Sequence, residues 1–289
     1  DALIKSGAAD DLGPGRGVLA SNLSKAIQSA EQYSINNDSG QDDLFGLHSP
    51  APDGRKNADA GDIFSSFEMV SDWSDEERLS GEKETLGFYL EGHPIVRYED
   101  ELGKIVTARL NNIRPGNIMI AGYVMNIRTR SGTRGKMAEI RLDDRTARVV
   151  LTAYPDEYLR YRQLIVKDQL VIVKGVAVED DYLVSGYSVI VNEVCSLDEI
   201  RNKHASLCMR INNNDINNGT VGYLRELLVP YRPGPCTVSI AYGNDHAYGV
   251  IHLGNDWNIT INDELLDRLY GSLGKEKVML DYSFNQTTN

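Results

Sequence analysis

The sequence predicts a multidomain protein: N-terminal helices and an acidic linker, then a five-stranded β-barrel, then a small C-terminal α+β domain. Three observations predict this arrangement. Charge is unevenly distributed along the chain, hydrophobic periodicity changes from helical to alternating near residue 105, and short strands with turn signals continue from there. A length of 289 residues is sufficient for two or three small domains.

The first element, residues 16–33, carries apolar side chains at helical spacing and predicts an amphipathic helix. Residues 34–80 contain 11 acidic and 3 basic residues with few apolar ones, which predicts an extended linker. Helical spacing resumes over 79–91, where we expect Gly92 to end the helix, and we assign residues 81–104 as a connecting helix between the linker and the next domain.

Residues 105–198 predict a five-stranded barrel of the OB-fold type. Three predicted strands precede a helix at 155–164, and two strands follow it, which is the element order of that Greek-key barrel. The predicted strands are residues 118–127, 137–142, 147–153, 169–178 and 183–194.

Residues 205–289 predict the α+β domain. Strands are expected at 207–211, 237–242, 247–253, 257–261 and 278–282. The predicted helices are 221–229 and a second one that Asn262 caps.

Charge by segment changes what the net charge of −12 implies about nucleic acid. Residues 1–100 contain 8 basic and 20 acidic residues, whereas 101–195 contain 14 basic and 11 acidic ones. Because charges separated by more than roughly 8 Å are screened at physiological salt, the acidic linker does not neutralise the barrel. The barrel segment is therefore compatible with a nucleic-acid partner.

No pattern in the chain indicates catalysis. The five His and three Cys lack metal-ligand spacing, and no nucleophile elbow or phosphate-binding loop occurs. We expect Asp143-Asp144 to be a solvated turn rather than a metal site. The sequence thus predicts no catalytic residue, no metal and no cofactor, and the Cys usage favours a reducing cytoplasm. No apolar run is long enough to span a membrane.

The first barrel hairpin is the strongest candidate binding site. Cations there can follow a phosphate backbone, and nearby tyrosines can stack on bases. The candidates are Arg128, Arg130, Arg134, Lys136, Tyr123 and Tyr154. The alternative is a solvated basic hairpin beside a packed tyrosine. Acids at 179–181 should repel a strand, so we expect nucleic acid to pass on the hairpin side.

A second candidate lies in the acidic linker. Its candidate residues are Gln41, Asp43, Leu44 and Phe45. The last two form an apolar pair in a polar stretch that has no hydrophobic core to join, which is typical of a docking peptide. The alternative is an accidental pair, or one folded back on the helix at 16–33.

Four segments, LIKSGAADDLGPGR (3–16), QDDLFG (41–46), ETLGFYLEGHPI (84–95) and LDDRTARV (142–149), carry a family resemblance. Together with the barrel order they resemble the C-terminal region of the bacterial replicative DNA polymerase III alpha subunit. The resemblance implies that residues 1–33 end a helix-hairpin-helix region and that 41–45 bind the sliding clamp. It further implies an OB domain at 105–198 that contacts single-stranded template, and a domain at 205–289 that binds the clamp-loader tau subunit.

The resemblance also bears on activity. The full-length family member is a DNA-directed DNA polymerase, a nucleotidyltransferase of the bacterial cytoplasm. Its catalytic domain, where Mg²⁺ is expected, is absent here, so this piece should be inactive alone. Two alternatives remain: a stand-alone OB-fold single-strand binder, and a tRNA synthetase, which would need a class II core that has no room downstream.

Overall fold

The computed structural model describes residues 1–38, 67–133, 135–181, 183, 186–212, 219–243 and 248–284. The chain forms two compact units, Asp1–Val96 and Arg97–Asn289. The helices of the first unit are α1 (Ala2–Lys5), α2 (Arg16–Asp38) and α3 (Asp75–Leu86). The predicted helix at 16–33 is therefore confirmed as α2, which continues to Asp38.

The linker predicted for 34–80 is wrong at both ends. Residues 34–38 belong to α2, and the segment that starts at residue 67 packs against that helix. The buried side chain of Asn22 hydrogen-bonds both backbone groups of Glu68, and the Asp72 carboxylate accepts from the Gly17 amide at 2.8 Å. Residues 39–66 lie outside the described part of the chain, so the linker interpretation stays a prediction there.

Helix α3 begins earlier and ends earlier than predicted. The Ser74 hydroxyl accepts from the Glu77 amide, and the Glu77 carboxylate accepts from the Ser74 amide, which forms a capping box. Gly87, in the left-handed region at φ 82°, ends the helix in place of Gly92. The predicted connecting helix at 81–104 is thus two short elements after α3, a 3-10 turn at Pro94–Tyr98 and α4 (Glu99–Leu102).

Arg16 is the electrostatic centre of the first unit. Its guanidinium is buried and donates to Asp10, Glu82 and Glu91 at 2.7–3.2 Å. The hydrogen bond from Arg16 lowers the pKa of the Asp10 carboxyl. A buried cation requires such pairing, so this cluster holds the loop before α2 against α3.

The second unit begins with a closed barrel, which confirms the OB-fold. Neighbouring strands are hydrogen-bonded in the order β1-β2-β3-β5-β4, and the parallel pairing of β3 with β5 closes the barrel. The elements are β1 (Gly116–Gly132), β2 (Gly135–Asp143), β3 (Arg148–Ala153), α5 (Pro155–Tyr161), β4 (Leu170–Glu179) and β5 (Tyr187–Cys195).

Alternation along each strand fills the barrel. Ile120, Ile140, Leu151 and Val189 point inward and are almost completely buried. Where strands must bend, glycine permits close approach: a Cβ on Gly175 would lie 2.3 Å from the Ile190 carbonyl oxygen. The barrel interior is therefore packed with side chains and leaves no room there for a ligand.

The C-terminal domain has a four-stranded sheet in the order β8-β7-β6-β9, which confirms the α+β prediction. Strands β6 and β7 are parallel and flank α7, so they form a βαβ unit. Its elements, with the helix that enters the domain, are α6 (Leu197–His204), β6 (Ala205–Asn212), α7 (Thr220–Leu228), β7 (Val238–Gly243), β8 (Tyr248–His252), α8 (Asp263–Leu273) and β9 (Val278–Tyr282).

Three local predictions in this domain have different outcomes. The Asn262 side chain accepts from the Leu265 amide at 2.9 Å, which confirms the helix cap. The strand predicted at 257–261 is wrong, because Asn255–Trp257 is a 3-10 turn and Ile259 makes one isolated bridge to Cys236. Helix α6 was not predicted, although Ser196 and Glu199 form a second capping box.

Arg201 on α6 joins the barrel side of this unit to the terminal domain. Its side chain, 1% exposed, donates to Glu101, Asp198 and Asp263 at 2.7–2.9 Å. Burial alone would raise the pKa of Asp263. The hydrogen bonds from Arg201 and Tyr98 outweigh that effect, so the pKa of the carboxyl lies below its ordinary value. One guanidinium thereby connects α4, α6 and α8.

Candidate nucleic-acid interface

The β1–β2 hairpin projects cations from the outer surface of the barrel. Arg128 pairs with Glu139 and Arg130 with Met137 in the antiparallel register, two residues apart and hence on the same outward face. Both arginines are exposed, and Arg130 has a loose ion pair with Glu139 at 3.6 Å. Lys136 is also exposed at the hairpin tip, but it pairs with Ser131 and so lies on the opposite side of β2 from Glu139. Arg134 lies outside the described residues.

Arg141 continues this cationic face and was missed from the sequence. It is exposed, pairs with Asn126 on β1 and Val150 on β3, and is two residues from Glu139 on the outward side of β2. The alternation of buried Ala138, Ile140 and Leu142 was the signal that could have found it. The face thus extends from the hairpin onto the central strands of the sheet, where OB-folds bind oligonucleotides.

The two candidate tyrosines are not brought together. Tyr154 is 47% exposed and precedes Pro155, whose ring lies next to Gly135 near the hairpin tip. Tyr123 pairs with Asp143 and Leu170, five residues along β1 from Arg128, or roughly 16 Å at strand rise. Tyr154 therefore lies at the basic end of the face, and Tyr123 does not.

The Asp143-Asp144 turn is not solvated, which corrects that prediction. Both residues are buried, at 7% and 8% exposure. Asp144 accepts hydrogen bonds from the amides of Leu110, Thr146 and Ala147 at 2.8–3.0 Å, and Asp143 accepts from Arg145 and Arg148. These carboxylates fix the β2–β3 turn and hold the chain entering the barrel. The part of the chain that the structure describes has no cluster of three metal-ligating side chains.

The acidic residues at the end of β4 lie away from the basic hairpin tip. Glu179 ends β4, and the preceding register pairs Ala177 with Gly116 at the start of β1. The hairpin tip is at the other end of β1, where Gly132 pairs with Gly135. This placement agrees with a strand that passes on the hairpin side of the barrel.

Two family models match the chain. One, described as an OB-fold nucleic acid binding domain, matches residues 118–196 and so covers the barrel. The other, the C-terminal domain of DNA polymerase III subunit alpha, matches residues 223–274 in the terminal domain.

Relatives extend this similarity over almost the whole chain. DNA polymerase III subunit alpha of Vibrio cholerae is 32% identical and that of Escherichia coli 34% identical, each over 98% of this chain. The chain is related to the C-terminal region of DNA polymerase III alpha subunits. It spans about a quarter of the length of these alpha subunits, 24% in both cases.

Solved structures that resemble this chain match the barrel, and at lower sequence identity than the alpha subunits. The second OB-fold domain of replication protein A from Methanococcus maripaludis is 16% identical, with a TM-score of 0.25, and covers 31% of this chain and 95% of that domain. The alpha-subunit resemblance also includes the segment at 84–95, which here ends α3 and continues into the 3-10 turn at Pro94–Tyr98.

The clamp-motif residues Gln41, Asp43, Leu44 and Phe45 lie outside the described residues. None of the described helices is both long and apolar enough to cross a membrane.

Proposed function

We propose that this chain tethers a replicative DNA polymerase to its substrate and partners. In this proposal the OB barrel binds single-stranded template DNA, the segment at 41–45 binds the sliding clamp, and the domain at 205–289 binds the clamp-loader tau subunit. The observation that carries the DNA contact is the outward cationic face of the barrel, formed by Arg128, Arg130 and Arg141, with exposed Lys136 beside it at the hairpin tip. Exposed cations on a barrel surface suit a flexible phosphate backbone better than they suit a protein core.

The proposed contacts strengthen one another because they lie on one chain. A clamp contact, a template contact and a tau contact on one chain each raise the effective concentration of the others, so weak individual contacts produce tight tethering. We expect this stretch alone not to extend a primer, because in this proposal the polymerase activity and its Mg²⁺ belong to the remainder of an alpha subunit. The setting that fits is the bacterial cytoplasm.

The DNA contact is tested by a hairpin variant in which Arg128, Arg130, Arg134 and Lys136 are changed to Ser. Each phosphate contact contributes about 0.7 to the salt slope on single strands, so four lost contacts should lower the slope of log affinity against log salt by roughly 3. Fluorescence anisotropy with a labelled oligonucleotide at several salt concentrations measures both affinity and slope.

The matched control removes the same charge elsewhere. Lys25, Lys167, Arg225 and Lys275 are exposed cations in other elements of the chain, and changing all four to Ser should leave the slope close to that of the unaltered chain. A hairpin variant that retains the original slope, or a control variant that loses as much, would show that the barrel face is not the contact.

A further inference from the structure

Strand β8 is exposed along its whole length. It forms one edge of the terminal sheet, and every residue from Tyr248 to His252 is exposed. Its apolar side chains are unusually open, with Tyr248 71%, Val250 47% and Ile251 55% exposed. Within the described residues, β7 is its single strand neighbour.

The backbone of β8 presents hydrogen-bonding groups outward at known positions. The Leu253 amide donates to the Val238 carbonyl at 3.1 Å, so this is a hydrogen-bonded pair. Because hydrogen-bonded and non-hydrogen-bonded pairs alternate in an antiparallel ladder, Ile251 and Gly249 also bond to β7. The amide and carbonyl groups of Tyr248, Val250 and His252 therefore point away from the sheet.

The usual devices that protect a sheet edge are missing from β8. The strand reads YGVIH, with no charged residue and no proline, and its register with β7 is continuous without a bulge. The opposite edge, β9, is different, because Lys104 Nζ donates to the outward-facing Leu280 carbonyl at 2.9 Å. The chain itself thus covers part of one edge, whereas among the described residues no strand pairs with the outer side of the other.

We propose that β8 accepts an extended segment of a partner polypeptide as the fifth strand of this sheet. The incoming segment would be uncharged and apolar opposite Val250, because Tyr248 and Val250 project on one face and Ile251 on the other. Nucleic acid does not fit this edge, since β8 carries no cation. The inference rests on the proposed function, in which the partner of this domain is the tau subunit.

A second copy of the chain fits the edge less well than a partner protein. Pairing two five-residue strands buries far less than the about 1,200 Å² that stable interfaces need. A partner that touches the chain at further points supplies the missing area, and the strand contact then adds to an assembly that is already linked.

The test compares the unaltered chain with Val250→Pro and Val250→Thr. Proline removes the outward amide at this edge position without breaking a bond to β7, whereas threonine keeps the amide and the side-chain shape. We expect Val250→Pro to weaken binding of the purified tau subunit at least tenfold and Val250→Thr to change it less than twofold. Hydrogen exchange follows the Tyr248 and His252 amides, which should become protected on binding.

A second probe separates this inference from the tau assignment. A synthetic peptide of alternating Thr and Val, at millimolar concentration, should protect the same two amides in the unaltered chain and not in Val250→Pro. If tau fails to bind the unaltered chain while the peptide still protects β8, the tau assignment is wrong and the strand edge stands. Tau binding that Val250→Pro leaves unchanged, dimerisation through β8 in place of partner binding, or protection by neither probe would overturn the proposal.

Discussion

The buried guanidinium of Arg201 shows how much a single side chain contributes to this molecule. It bonds to Glu101, Asp198 and Asp263 from three separate helices while almost completely shielded from water. Removing one partner of a buried ion pair is costly because the remaining charges lose their compensation. The spacing of Leu197, Ile200 and Arg201 places the arginine on the inward face of its helix, but the acids that compensate its burial come from distant parts of the sequence and are not apparent from that pattern.

We predict that Arg201→Met destabilises the folded chain by about 3 kcal/mol, since Glu101 and Asp263 then lose their shared cation. The matched control is Arg97→Met, because the Arg97–Asp267 pair is much more exposed and should cost less than about 1 kcal/mol. Denaturant unfolding at neutral pH measures both.

Acid should reduce the difference between the unaltered chain and the Arg201 variant. The pKa of Asp263 is lower in the folded chain than its ordinary value of 3.8. The ionised carboxylate therefore stabilises the fold at any pH above 3.8, and this stabilisation is lost as the pH falls below 3.8 through the lowered pKa. Equal destabilisation by Arg201→Met and Arg97→Met would contradict the assigned role.

At the scale of elements, the barrel strands were predictable and several helix boundaries were not. Alternating buried positions such as Ile140 and Leu142 indicate a strand wherever it lies in the fold. The starts of α3 and α6 depend on local capping boxes, which apolar periodicity does not detect. The apolar stretch at 257–261 misled because it is buried by packing on the core and not by pairing in the sheet.

We predict that Ser74→Ala loosens the first turn of α3. Loss of the capping hydroxyl costs about 1 kcal/mol, so amides at the start of the helix should exchange about fivefold faster. Ser80→Ala, in the exposed middle of the same helix, is the control and should leave exchange unchanged. Hydrogen exchange followed by mass spectrometry measures this, and faster exchange in both variants would show that the cap is not the cause.

For the whole molecule, the sequence predicted the candidate DNA face incompletely. The structure places Arg128 and Arg130 on one exposed surface and adds Arg141 to it, but it puts Lys136 on the other side of β2 and separates Tyr123 from the arginines. Loop cations are apparent from composition. Which strand residues share their face depends on the register between strands, and the bulge between Val124 and Asn126 changes that register.

We predict that Leu44→Ala combined with Phe45→Ala reduces binding to a purified bacterial sliding clamp by more than about 100-fold, as expected for two apolar anchor residues. Ile63→Ala with Phe64→Ala removes a similar apolar pair from the same acidic stretch and should leave affinity unchanged. Surface plasmon resonance measures both variants. Unaltered affinity in the first double variant would contradict the clamp assignment.

The junction at Arg201 has a consequence for modularity. Arg201 binds the carboxylates of residues 101, 198 and 263, so this ion-pair cluster includes residues from both sides of the boundary between the barrel and the terminal domain. A barrel excised at residue 204 would retain the arginine and lose Asp263. Recombination that exchanges one of these domains between proteins must therefore carry a matching acid from the other, which favours inheritance of the two as a pair.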